Sequence, residues 1–185
     1  MLVIKYKIII LFLLFFSSLG VAETVQQHTI DELFKKLSKT KDEVGAQIIE
    51  KKIWDAWHNH PGDVNLTNKL ELGIELMQYG DYRFALHIFN NIITSDPHWS
   101  EAWNKRATLL FFMKDYEGSL NDIEKVLDIE PRHFGALLGR SQIFIKIEEY
   151  QKAIDTLKKV NKINPMIKND TLIFKLEKLI IGLNI

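Results

Sequence analysis

Residues 82–97, 116–131 and 150–165 read YRFALHIFNNIITSDP, YEGSLNDIEKVLDIEP and YQKAIDTLKKVNKINP. Each opens on a tyrosine (Tyr82, Tyr116, Tyr150), has a small residue three places on (Ala85, Ser119, Ala153) and closes on a proline (Pro97, Pro131, Pro165), at a constant interval of 34 residues. A period of that length marks a helix-turn-helix unit copied in tandem, each copy too small to bury its apolar faces until a neighbour stacks on it. The expected fold is all-α: an α-solenoid of helix-turn-helix repeats with irregular helical caps at both ends.

Working outward, helices are expected at about 66–79, 82–95, 100–113, 116–129, 134–147 and 150–163, with the prolines in the links, where a helix cannot easily continue. Gly80-Asp81, Lys114-Asp115 and Glu148-Glu149 form the turns inside each unit. Residues 66–99, 100–133 and 134–165 are then three repeats. Upstream, residues 23–65 form an irregular cap of two helices, which Thr29-x-x-Glu32 and Thr40-x-x-Glu43 open as capping boxes. Ile30, Leu33, Phe34 and Leu37 make the apolar stripe of the first, and Val44, Ile48, Ile49, Ile53 and Trp57 that of the second, which runs to about His58. Downstream, residues 166–185 hold a capping helix whose inward stripe is Leu172, Leu176, Leu179, Ile180 and Leu183. Ile173, Phe174, Ile181 and Ile185 lie off it, more apolar surface than a solvated cap needs.

The filling of the period resembles the tetratricopeptide repeat (TPR) family, whose pattern is Trp-x2-Leu-Gly-x2-Tyr, then Ala-x3-Phe, then Pro. Leu72-Gly73, Leu76, Ala85, Phe89 and Pro97 carry it in the first unit, and Trp103, Ala107, Leu110, Ser119, Ile123 and Pro131 in the second. Leu137, Ser141, Phe144, Ala153, Leu157 and Pro165 carry it in the third. The stretch from Trp103 through Leu137 is similar to small exported bacterial proteins of this family, to which no activity attaches. The resemblance implies a right-handed solenoid whose inner wall is lined by the second, fifth, ninth, twelfth and thirteenth positions of each unit's first helix. Those are Thr67, Leu70, Ile74, Met77 and Gln78; Glu101, Asn104, Thr108, Phe111 and Phe112; and Gly135, Leu138, Gln142, Ile145 and Lys146. Members that grip a C-terminal carboxylate use lysines and asparagines at the fifth and ninth positions, where the first unit here has Leu70 and Ile74. An apolar wall suits an amphipathic helix or an extended apolar peptide. Alternatively, the chain's own caps fill the groove.

Arg106 and Arg140, one period apart, each replace an expected leucine at the seventh position. They point either to a ligand carboxylate held between them or to an internal Asp or Glu. The candidate binding residues are therefore Asn104, Arg106, Thr108, Phe111, Phe112, Leu138, Arg140, Gln142 and Ile145.

Residues 1–22 read as an export signal: Lys5 and Lys7, the apolar run from Ile8 to Phe16, then Gly20-Val21-Ala22, with cleavage expected near Ala22 and no membrane span afterwards. Periplasmic or secreted localisation follows. Removal takes the basic count from 24 to 22 against 24 acidic residues, so the charge falls from 0 to −2. Basic residues are interleaved with acids along the helices, which argues against nucleic acid. The absence of cysteine excludes a disulfide framework and a lipid-modified N-terminal cysteine. His58, His60 and Asp63 are a weak metal-like cluster better read as a turn, and Trp54 with Trp57 is read as core. No nucleophile elbow, phosphate loop or isolated acid pair supports catalysis, and neither cofactor nor metal is expected. The expected function is an envelope scaffold or adaptor with a protein or peptide partner. The alternative is a structural component that self-associates, for example as a homodimer through the C-terminal helix.

Overall fold

The computed structural model of the protein describes residues 21–183. The expected export segment lies outside these residues except for its last two, as does Ile185. Every regular element among the described residues is a helix. Residues 21–37 are helical (α1), followed by α2 (Glu43–His58), α3 (Val64–Gln78), α4 (Tyr82–Ser95), α5 (Ser100–Phe112), α6 (Tyr116–Ile129), α7 (Phe134–Lys146), α8 (Tyr150–Ile163) and α9 (Asp170–Leu183). The chain divides into two compact units between Thr67 and Asn68.

In the first unit, neither expected capping box forms. Thr29 lies inside α1 and its hydroxyl donates to the Val25 carbonyl at 2.9 Å, because the helix is already under way upstream. Thr40 likewise turns back to the Lys36 carbonyl, and Asp42 caps α2 by accepting from the Gly45 amide at 2.7 Å. A carboxylate one place from the first helical residue reaches that orphan amide better than a hydroxyl three places away. Ile30, Leu33, Phe34 and Leu37 of α1 are buried, as are Ala46, Ile53 and Trp57 of α2, whereas Val44 and Ile48 are exposed. The Trp54 and Trp57 rings meet edge to face at 5.4 Å, and Gln26 ties α1 to the end of α2 through the Ala56 and Asn59 carbonyls. His60 organises the following turn: its Nδ1 accepts from the Gly62 and Asp63 amides.

The second unit shows why the 34-residue period folds as it does. Gly80, Lys114 and Glu148 all have left-handed backbones (φ 82, 64 and 62°), and each ends its helix in the same way. The next amide (Asp81, Asp115, Glu149) bonds five residues back to Leu76, Leu110 or Phe144, at 2.8 to 2.9 Å. The left-handed residue itself bonds three back, to Met77, Phe111 or Ile145. This paired closure satisfies two orphan carbonyls and reverses the chain. Before each proline, Asp96, Glu130 and Asn164 are extended (φ −141, −131 and −131°), as crowding by the ring demands. Their side chains then accept from the amide two residues on, so each link is built alike.

Helix crossings are close where small residues were expected. A Cβ on Gly73 would stand 2.5 Å from the Phe89 ring. Ser119 is buried and donates to the Ala107 carbonyl at 2.7 Å. One core joins Ala107, Ile123, Val126, Ala136 and Ile143; the next joins Ala153, Ile154 and Leu157 to Ile173 and Leu176 of α9. The inward stripe of α9 keeps Leu176 and Ile180 of the expected one and adds Ile173, whereas Leu172 and Leu179 are exposed, together with Phe174 and Ile181. Two side-chain hydrogen bonds, Asn169 to Asn161 and Asn161 to Asp170, set this register by anchoring the start of α9 to α8.

Candidate functional site

The face shared by α5 and α7 collects much of the expected groove. Asn104, Thr108, Phe111 and Phe112 from α5 and Gln142 from α7 line one pocket of ≈130 Å³, floored by Ala107, Ser119, Ile123 and Ile143. Gly135 and Gly139 open its α7 side because they place no side chain there. Phe112 is 52% exposed at the rim and packs edge to face on Phe111 at 6.0 Å, which itself rests on Tyr116. Thr108 donates to the Asn104 carbonyl, leaving its hydroxyl oxygen able to accept.

Leu138 and Ile145 do not line this pocket. Both pack on the core formed with α8 and α9, so that part of the inner wall is occupied by the chain's own terminal helix. Leu70 is also fully buried.

Glu101, expected on the wall, is completely buried at the base of α5 and forms the polar centre of the joint between the second and third repeats. His133, also completely buried, caps α7: its Nδ1 accepts from the Ala136 amide, so the proton sits on Nε2, which donates to Glu101 Oε2 at 3.1 Å. Asn104 donates to the same oxygen at 2.9 Å, and Lys105 forms an ion pair with Oε1 at 2.7 Å. Burial alone would raise the Glu101 pKa, but the His133 hydrogen bond and the Lys105 charge outweigh it and hold the carboxyl down at about 2. Glu101 is therefore an anion that clamps α5 to α7, closed to substrate. A histidine directly before the apolar start of α7, 32 residues after a glutamate at the start of α5, is the sequence signal for this clamp.

The two arginines do not share a carboxylate. Arg106 holds Asp122 of α6 in a bidentate pair, Nε and Nη2 each at 2.7 Å, while Nη1 donates to Asn90 of α4 at 2.7 Å. Its guanidinium also lies 4.9 Å over the Trp103 ring. This internal bracket joins three helices. Its signal was an acid at Asp122 within the buried face Ser119, Ile123 and Val126 of α6. Arg140 has no such acid, and its Nε is buried without a hydrogen-bond partner. The Phe144 ring lies 5.9 Å away.

The family model described as "Tetratricopeptide repeat" matches residues 100–133 and 134–165, the two segments whose helix pairs build this groove. These segments are tetratricopeptide repeats. A TPR repeat-containing protein of Rhizobium etli is 35% identical over 109 residues, 59% of this chain and 53% of that protein, so the chain spans about half the length of that relative. Among solved structures, the TPR2B domain of yeast Sti1 in complex with pHsp70 superposes with a TM-score of 0.57 at 18% identity, over 63% of this chain and 99% of that one. MamA gives 0.54 at 20%, over 86% and 85%. The Yersinia enterocolitica chaperone SycD with a YopD peptide gives 0.52 at 14%, over 65% and 89%. At these identities the likeness is one of fold, a TPR α-solenoid. Among the described residues, no helix is long and apolar enough to cross a membrane.

Proposed function

We propose that this chain is an exported scaffold that binds a segment of another protein in the α5/α7 groove and works in the cell envelope, either periplasmic or secreted. The observation that carries the binding half is Phe112, a large apolar ring half exposed at the rim of a pocket with glycine on the opposite wall. An exposed aromatic beside polar groups that can fix orientation, here Asn104, Thr108 and Gln142, is the composition of a peptide anchor site. Among structures of the same fold, the TPR2B domain of Sti1 is in complex with pHsp70 and SycD with a peptide of YopD, which supports this use of the groove. The export half rests on Lys5, Lys7, the Ile8 to Phe16 run and Gly20-Val21-Ala22. A photo-crosslinker at residue 112 of the exported chain identifies the partner, and titration calorimetry tests it. Phe112→Ala is expected to weaken binding by about 2 kcal/mol or more without unfolding the chain, whereas equal affinity for the two proteins would remove the groove from the mechanism. Recovery of an intact N-terminus by mass spectrometry would replace export with anchoring.

A second reading, self-association, is favoured by α9, where Leu172, Phe174, Leu179 and Ile181 are exposed together. Deleting α9 would uncover Ile154 and Leu157, so the test is Phe174→Glu with Ile181→Glu in the full chain. Under this reading, sedimentation equilibrium finds a dimer in the parent chain and a monomer in the variant. A monomeric parent excludes it.

A further inference from the structure

On the side of α7 turned away from the groove, the third repeat has a pocket of ≈370 Å³. Leu127, Leu137 and Ile163 form its apolar wall, and Arg140, Lys159 and Lys162 are its charged groups, all cationic. The second repeat shows what belongs there. Moving back one period, Leu137 becomes Trp103, whose indole donates to the Pro97 carbonyl at 2.9 Å and lies under Arg106, the counterparts of Pro131 and Arg140 in the wall of this pocket. Thr156 becomes Asp122, the carboxylate that takes the guanidinium fork, and Lys162 becomes Asp128. The second repeat is thus filled by an aromatic ring and an acid from its own chain, and the third lacks both.

Nothing nearby replaces them. Thr156 is buried and its hydroxyl is committed to the Lys152 carbonyl. Glu124, at the place of Asn90, is exposed, and among the described residues it makes no ion pair with Arg140. Lys159 and Lys162 are exposed and likewise form no ion pair among the described residues. A buried guanidinium N–H without an acceptor is costly to leave, and an arginine fork matches a carboxylate better than any other common anion in a polypeptide.

We propose that this pocket is a second binding site, which takes a carboxylate carried beside a bulky apolar group, as adjacent acidic and aromatic side chains of a partner polypeptide present them. Its volume falls in the usual range for small-ligand pockets, and its site is separate from the groove.

The test uses the full exported chain and follows the arginine Nε–H signals by NMR, with the internally paired Arg106 as reference. The probes are the capped dipeptide Ac-Trp-Asp-NH2, its neutral analogue Ac-Trp-Asn-NH2 and indole-3-propionate. The acidic dipeptide is expected to shift the Arg140 Nε–H signal and to bind about fivefold or more tightly than the neutral one. Thr156→Asp, which supplies the missing acid, and Leu137→Trp, which supplies the missing ring, are each expected to weaken that binding about tenfold. Phe112→Ala should leave it unchanged, which keeps the fate of this site distinct from that of the groove. An Arg140 signal indifferent to the dipeptide overturns the proposal, as does undiminished binding by Thr156→Asp and Leu137→Trp proteins whose Arg106 signal shows them folded. Binding of indole-3-propionate without the dipeptide overturns the assignment to a polypeptide.

Discussion

The second and third repeats have the same backbone and opposite economies. In the second, Arg106 is bracketed by Asp122 and Asn90, Trp103 fills the space beside it, and Glu101 is locked by His133 and Lys105. One period on, the equivalent positions carry Arg140, Thr156, Glu124, Leu137 and Gly135, and a pocket lies on each side of α7. The repeat frame therefore tolerates either solution. The helix pair is held by its turns and small-residue crossings, while the positions around the arginine are free to be internal structure in one copy and open surface in the next.

The largest effect that could break this comparison is removal of Asp122. Asp122→Ala strands the guanidinium of an arginine whose side chain is 21% exposed and is expected to cost about 3 kcal/mol, whereas Thr156→Ala at the equivalent place should cost about 1 kcal/mol or less. Urea unfolding of the two variants measures it, and equal losses would mean that Arg106 and Arg140 are held in the same way.

Acid should act through Glu101, for which the third repeat has Gly135. Its folded pKa of about 2 lies below its ordinary value of 4.5, so its contribution is complete above about pH 4.5 and is lost as pH falls toward 2. The full loss is about 3 kcal/mol, and Glu101→Gln should flatten the acid limb of stability against pH over that interval. An unchanged acid limb would show that the clamp is not the acid-sensitive element.

Smaller changes sharpen the comparison at the turns, where the copies should agree. Gly80→Ala is expected to cost about 1 kcal/mol, and Lys114→Gly and Glu148→Gly to stabilise by up to about 1 kcal/mol, because the left-handed backbone penalises a Cβ. Opposite signs for Lys114→Gly and Glu148→Gly in thermal melts would show that the two turns are not equivalent. Smallest of all, Lys158→Ala removes an exposed ion pair with Glu177 at 3.6 Å and should change stability by less than about 1 kcal/mol.

Much of this architecture was legible in the chain. The tyrosines at 82, 116 and 150 begin helices, and the expected spans of the six repeat helices match within two residues, because local rules decide them: proline stops, left-handed turns and apolar periodicity all act over a few residues. The capping boxes at Thr29 and Thr40 misled because a hydroxyl inside a helix, or just past its end, finds a carbonyl four residues back as readily as it finds an orphan amide. For α9, a helix apolar on several faces has no unique inward stripe in its pattern, and the asparagine contacts with α8 chose Ile173 and Leu176 over Leu172 and Leu179.

The candidate site was legible in part. Asn104, Thr108, Phe111, Phe112 and Gln142 converge on one pocket, while Leu138 and Ile145 went to the core under α9.

Periodicity alone established that this is an α-solenoid of 34-residue units, where each repeat helix begins and ends, and which positions depart from the pattern. It did not say what those departures meet. Whether an arginine finds an acid depends on residues 16 positions away on another helix, and whether a pocket is full depends on a Trp or a Leu one turn earlier. These are properties of three helices in contact, so packing made Arg106 a structural bracket and left Arg140 without one.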